Sequence, residues 1–156
     1  MLTGIAWSGR GKVDRVDVSL DGVPVDASQV LNYKGVMYSN VPNMAVTFGY
    51  TNASWTLKAD MLAKWFCGLM KHMDHIGARE ATPVNKHGQM ETRPFVDMQS
   101  GYLARMAHTL QRQGMEKPWK LNQNYFADRS ELKSADYDEG TLEYGNLVVT
   151  TEPRTA

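Results

Sequence analysis

From Trp55 to Ile76, large apolar residues recur at three- and four-residue steps: Trp55, Leu62, Trp65, Phe66, Leu69, Met73 and Ile76. Lys58, Lys64, Lys71 and Asp74 are left for the wetter side. This is the helical period, and no proline or glycine interrupts it before Gly68. It predicts about six turns of helix, ended by Gly77 as the C′ residue. A stripe facing a core accounts for the aromatics as packing.

What enters that helix constrains function. Met44 to Phe48 is an apolar, β-branched run that reaches Gly49 and then passes through small polar residues, so residues 44 to 55 read as strand, tight turn and helix start. A helix N-terminus carries unpaired backbone N–H groups and partial positive charge, which suits an anion or an electron-rich carbonyl over Asn52 to Ser54. Thr51, Asn52 and Ser54 are all good cap residues, and the cap that forms is worth about 1 kcal/mol. The same pattern serves equally for a capped turn that binds nothing. Lys58 and Asp60 flank this start. A lysine in a helix's first turn is opposed by the dipole, so a salt-linked or solvent-facing role is expected for it rather than a catalytic one.

Composition excludes several function classes. Seventeen basic and seventeen acidic residues balance and are scattered, so no footprint for nucleic acid or an anionic membrane is present. At 156 residues one domain is the ceiling. The lone Cys67 excludes an intrachain disulfide, fits a reduced compartment, and reads as a buried structural thiol. No apolar run nears the length of a membrane span and no signal-type leader is evident, which predicts a soluble, cytoplasmic protein. His72 and His75 lie three apart beside Asp74 without a third ligand in register, so no metal site is expected. His87 and His108 accompany no nucleophile elbow, and no hydrolase is indicated.

Elsewhere, residues 2 to 20 read as a β hairpin around Ser8-Gly9-Arg10-Gly11, Val23 to Val30 as extended, and Tyr33 to Tyr38 as a further β-like run. Residues 78 to 99 read as loop throughout, residues 100 to 114 as a second helix, Leu121 to Leu132 as a third, and Leu142 to Val149 as a closing strand. The divisions expected are 1–22, a hairpin foreign to the rest; 23–77, strands plus the long helix; 78–150, a helical tail; and a frayed 151–156.

Tyr33-Lys34-Gly35-Val36-Met37, Val41-Pro42-Asn43 and Gly49-Tyr50-Thr51-Asn52-Ala53-Ser54-Trp55-Thr56-Leu57-Lys58-Ala59-Asp60 together resemble the C-terminal region of Baeyer–Villiger-type flavin-containing monooxygenases. Arg93-Pro94-Phe95, Ser100-Gly101-Tyr102, Gln113-Gly114, Pro118-Trp119-Lys120-Leu121, Gln123-Asn124-Tyr125 and Asp138-Glu139-Gly140 follow in that family's order. The resemblance covers roughly residues 19 to 146. It implies an α/β architecture, α+β when taken alone, forming the C-terminal part of an FAD-binding, two-dinucleotide-domain flavoprotein. It also implies FAD and NADPH as cofactors, a small ketone or thio-compound as substrate, and the remaining FAD and NADPH domains as partners. The amides of Thr51, Asn52, Ala53 and Ser54 would face the pyrimidine edge of the flavin ring, an electrostatic role. Trp55 would line the substrate side of the ring or pack against the sheet, and Tyr102, Trp119, Asn122 and Tyr125 would wall a substrate channel or wrap the enzyme.

There are departures from that family. G-x-G-x-x-G after a strand is missing, as are the family's signature stretch between its two dinucleotide domains and its catalytic arginine, so no catalytic residue is assigned. The chain alone is expected neither to hold FAD tightly nor to turn over. Leu2 to Gly22 instead looks like the immunoglobulin-like dimerisation domain of sulfite-oxidase-type molybdenum enzymes, which predicts a truncated or fused reading frame joined at Ser19 to Gly22. The competing function is a non-catalytic binding or assembly module.

Overall fold

The computed structural model describes residues 19–20, 23–24, 29–50, 53–86, 90–95 and 111–146. Ser19–Leu20 (β1) pairs antiparallel with Val23–Pro24 (β2). Residues 1–18, which carry most of the expected N-terminal hairpin and of the molybdenum-enzyme resemblance, lie outside the described residues.

The run at 33 to 38 folds back on itself instead of continuing as one strand. Asn32–Tyr33 (β3) pairs with Met37–Tyr38 (β4) across a turn in which Lys34 and Gly35 both take positive φ, 51° and 77°. That geometry favours glycine at the second position. It also brings Gly35 against Lys58, where a Cβ would lie 3.2 Å from the lysine Cε. Met44 to Phe48 is not a strand: it holds one antiparallel bridge, Ala45 to Met37, and a 2.7 Å hydrogen bond from Val46 N–H to Val36 O.

Helix α1 spans Trp55–Ile76 and ends as its sequence predicts. Gly77 takes φ 71°, and the N–H groups of Gly77 and Ala78 return to Asp74 O and Met73 O, which closes the last turn. Its buried face is Lys58, Leu62, Trp65, Leu69 and Met73. Cys67, read from sequence as buried, is exposed, because it lies well round the helix from that face. At mid-helix, Gly68 makes room for Tyr137, whose hydroxyl sits where a Cβ would be and donates to Trp65 O at 2.9 Å.

Two expectations downstream are overturned. Residues 78 to 99 are not loop throughout: Glu80–Pro83 (β5) pairs with Leu142–Gly145 (β8), and Thr92–Pro94 (β6) with Arg112–Gly114 (β7), all antiparallel. The expected second helix does not reach Gly114, which belongs to β7, and residues 96–110 lie outside the described residues. The third helix, α2, is Tyr125–Lys133; it starts later than expected because Asn124 caps it, Oδ1 accepting from Ala127 N–H at 3.1 Å.

The described residues thus form a mixed α and β unit with two helices, α1 packed on α2. The core draws on both sides of Gly77: Tyr33 and Trp65 meet Trp119, Leu132 and Leu142. Tyr33 lies edge-on between Trp65 and Trp119, with ring centroids 6.1 and 5.6 Å away. Among the described residues no helix is long and apolar enough to cross a membrane.

Candidate functional site

The opening turn of α1 is accessible. Ser54 is the N-cap, extended at φ −61° and ψ 126°, yet its side chain makes no capping bond; its hydroxyl lies 2.9 Å from Thr56 Oγ1 instead. The first turn contains no acidic residue, and Ala53 through Leu57 are exposed. Among the described residues, neither a side-chain cap nor a first-turn carboxylate meets the backbone donors that open the helix, and Leu57 N–H reaches Ser54 O at 3.3 Å. Thr51 and Asn52, the other two residues expected here, lie outside the described residues.

Trp55 is held by aromatic packing while half of it faces out. Its ring fills the space beside Gly49 where any Cβ would collide. It meets Phe48 edge-on at 5.3 Å, and Phe48 meets Phe95 at 4.9 Å. Trp55 is nevertheless 49% exposed, and Leu57 is 44% exposed.

Further along α1 lies a buried polar cluster, of whose members the sequence singled out Lys58 and Asn122 but not Asp128 or Glu131. Lys58, at the end of the first turn, is 1% exposed, and its ammonium lies 3.1 Å from Asp128 Oδ2 on α2. Tyr50 donates its hydroxyl to the same oxygen at 2.7 Å, and its ring lies 5.1 Å from the ammonium. Asn122 Nδ2 donates to Asp128 Oδ1 at 3.1 Å and to Glu131 Oε2 at 2.9 Å, and Lys117 pairs with Glu131 at 2.9 Å. Of the two roles expected of Lys58, salt-linked or solvent-facing, the structure shows the salt link with the side chain buried, while Asp60 pairs with Lys64 on the surface. Asn122 belongs to this cluster, and Trp119 to the core. Burial, then the hydrogen bond to Asp128, holds the Tyr50 phenol well above its ordinary range.

A second clamp joins the β3–β4 turn to the loop before β8. Glu139 accepts from the Tyr33 hydroxyl at 2.7 Å and from Lys34 Nζ at 2.8 Å. Burial and then Glu139 push the Tyr33 phenol far upward. His72 Nε2 lies 3.2 Å from Asp138 Oδ1 without hydrogen-bond geometry, and its ring stacks on Tyr137. No group of three metal-ligating side chains occurs among the described residues.

No protein-family model matches the chain, and no solved structure does. Curated relatives are closer. The chain is 44% identical over 138 residues to a protein of Acinetobacter baylyi named as the probable FAD-binding monooxygenase AlmA, covering 88% of this chain and 28% of that relative. A protein of the same name from another Acinetobacter is 47% identical over 130 residues, 83% of this chain and 26% of the relative. The FAD-containing monooxygenase EthA of Mycolicibacterium smegmatis is 41% identical over 124 residues, 80% of this chain and 25% of the relative. The chain belongs to the FAD-binding monooxygenase family, and it spans about a quarter of the length of the curated relatives it matches.

Proposed function

We propose that this chain supplies the flavin-facing helix start of an NADPH- and O₂-dependent flavoprotein monooxygenase of two-dinucleotide-domain type. The whole enzyme would insert oxygen beside a ketone carbonyl or oxidise a soft heteroatom, in the cytoplasm. The observation that carries this reading is the accessible opening turn of α1, with no cap bond from Ser54 and no acid among its first residues. Those features fit the electron-rich N1–C2=O edge of a flavin. The amides of Thr51, Asn52, Ala53 and Ser54 would hold that edge, and Trp55, half exposed, would stand beside it. The cofactor supplies the redox chemistry when bound.

This chain's own contribution is electrostatic and positional. The helix end favours negative charge on what it faces. The ion pair of Lys58 with Asp128, with Tyr50 on the same oxygen, ties α1 to α2 and to the segment entering the turn, which fixes where that end points. Residues for proton transfer, hydride delivery and substrate choice belong to the remainder of the enzyme.

The test places a charge at the opening turn. In a chimera of the A. baylyi relative carrying this chain over the matched stretch, Thr56→Glu is expected to lower the flavin reduction potential and loosen FAD. An unchanged potential at full flavin occupancy overturns the reading.

A further inference from the structure

Helix α1 has two apolar faces, one given over to the core and a second that reaches it only at its edge, through Phe66. The second runs through Ala59, Ala63, Phe66, Cys67 and Met70, a spacing that keeps all five on adjoining positions of one side. Met70 is 43% exposed, Ala63 and Cys67 are exposed, and Ala59 and Phe66 are half-buried. The Asp60–Lys64 ion pair, at 2.7 Å, borders the stripe on its solvent side. An apolar stripe over three turns with a charged rim has the make-up of a packing face between protein bodies.

We infer that this second face of α1 is where the FAD-binding remainder of the monooxygenase polypeptide docks. The inference rests on the reading of α1 as the flavin-facing helix. The relatives are about four times as long as the matched stretch, so most of such a polypeptide packs somewhere against it. A body that presents flavin to the first turn of α1 lies alongside the same helix. Ala59 to Met70 spans only about 16 Å of it at 1.5 Å per residue. The stripe is neutral and begins one turn from the proposed flavin contact, so one rigid element serves both.

Cys67 sits in the stripe and is its own probe. In the 156-residue chain it is expected to react with a maleimide as an open thiol. In the chimera with the A. baylyi relative, followed by peptide mass spectrometry, it is expected to react about tenfold more slowly. Met70→Asp should leave the melting temperature of the chain unchanged and lower that of the chimera, while Met70→Leu should be neutral in both. Ala63→Cys in a Cys67→Ser background gives a second reporter should either variant express poorly. Equal Cys67 labelling in chain and chimera overturns the inference. So does labelling of the chain that slows with its own concentration, because the face then pairs with a second copy. Protection that persists after FAD is stripped supports docking whatever the flavin potential does, which separates this result from the test of the opening turn.

Discussion

Asp128 reaches Lys58 across seventy residues of sequence, and their 3.1 Å contact is buried at both ends, with Tyr50 donating to the carboxylate oxygen that the ammonium also meets. Removing one partner strands the other charge in a site that water does not reach. Lys58→Met is therefore expected to cost about 3–5 kcal/mol. Urea unfolding of Lys58→Met, Asp128→Leu and the double variant should give a double loss well below the sum. Additive losses would mean the two side chains do not act as a pair.

Gly68 sets helix preference against a neighbour. Alanine at a helix interior gains up to about 1 kcal/mol over glycine, but its Cβ would fall on the Tyr137 hydroxyl that donates to Trp65 O. Gly68→Ala should destabilise by about 1–3 kcal/mol as an overpacking change. Tyr137→Phe, which deletes the colliding oxygen, should recover part of that loss in thermal unfolding. A net gain from Gly68→Ala alone would show that the ring yields freely.

Alkaline pH tests the buried phenols. Tyr33 and Tyr50 are held protonated in the fold, by burial first and by Glu139 and Asp128 next, whereas an unfolded tyrosine ionises near pH 10. Their contribution is complete below about pH 10 and is lost as pH rises above it, at about 1.4 kcal/mol per pH unit for each phenol. Phenolate absorbance should show these tyrosines ionising only as the chain unfolds. Their titration near the ordinary value with the fold intact would contradict this.

The N-cap Ser54, which makes no capping bond, also leaves a stability signature. Thr56→Glu places a carboxylate at the positive end of α1 and should stabilise the chain itself by about 0.3–1 kcal/mol at low salt. Added salt should erase the gain, and a loss instead would mean the opening turn already meets an acceptor.

The sequence made some of these features readable and hid others. The bounds of α1 were readable because an apolar period and a terminating Gly77 are local signals, and a helix closes its hydrogen bonds within four residues. The strands β5, β6 and β7 were not, since each gains its ladder from a partner distant in sequence: Ala81 faces Tyr144, and Arg93 faces Gln113. Their runs are only three or four residues long and two contain proline, too short for a period of two to stand out from loop. For the candidate site, the dipole argument required a partner for Lys58 but could not find Asp128, because nothing in the spacing of α2 marks one carboxylate for burial.

Because Glu80–Pro83 lies ladder to ladder with Leu142–Gly145, the stretch between them leaves and returns through a single doorway. A backbone cut between residues 84 and 91 would therefore yield two pieces still zipped by that doorway and by α1 against α2. Nicked protein should travel as one particle until denaturant parts the halves.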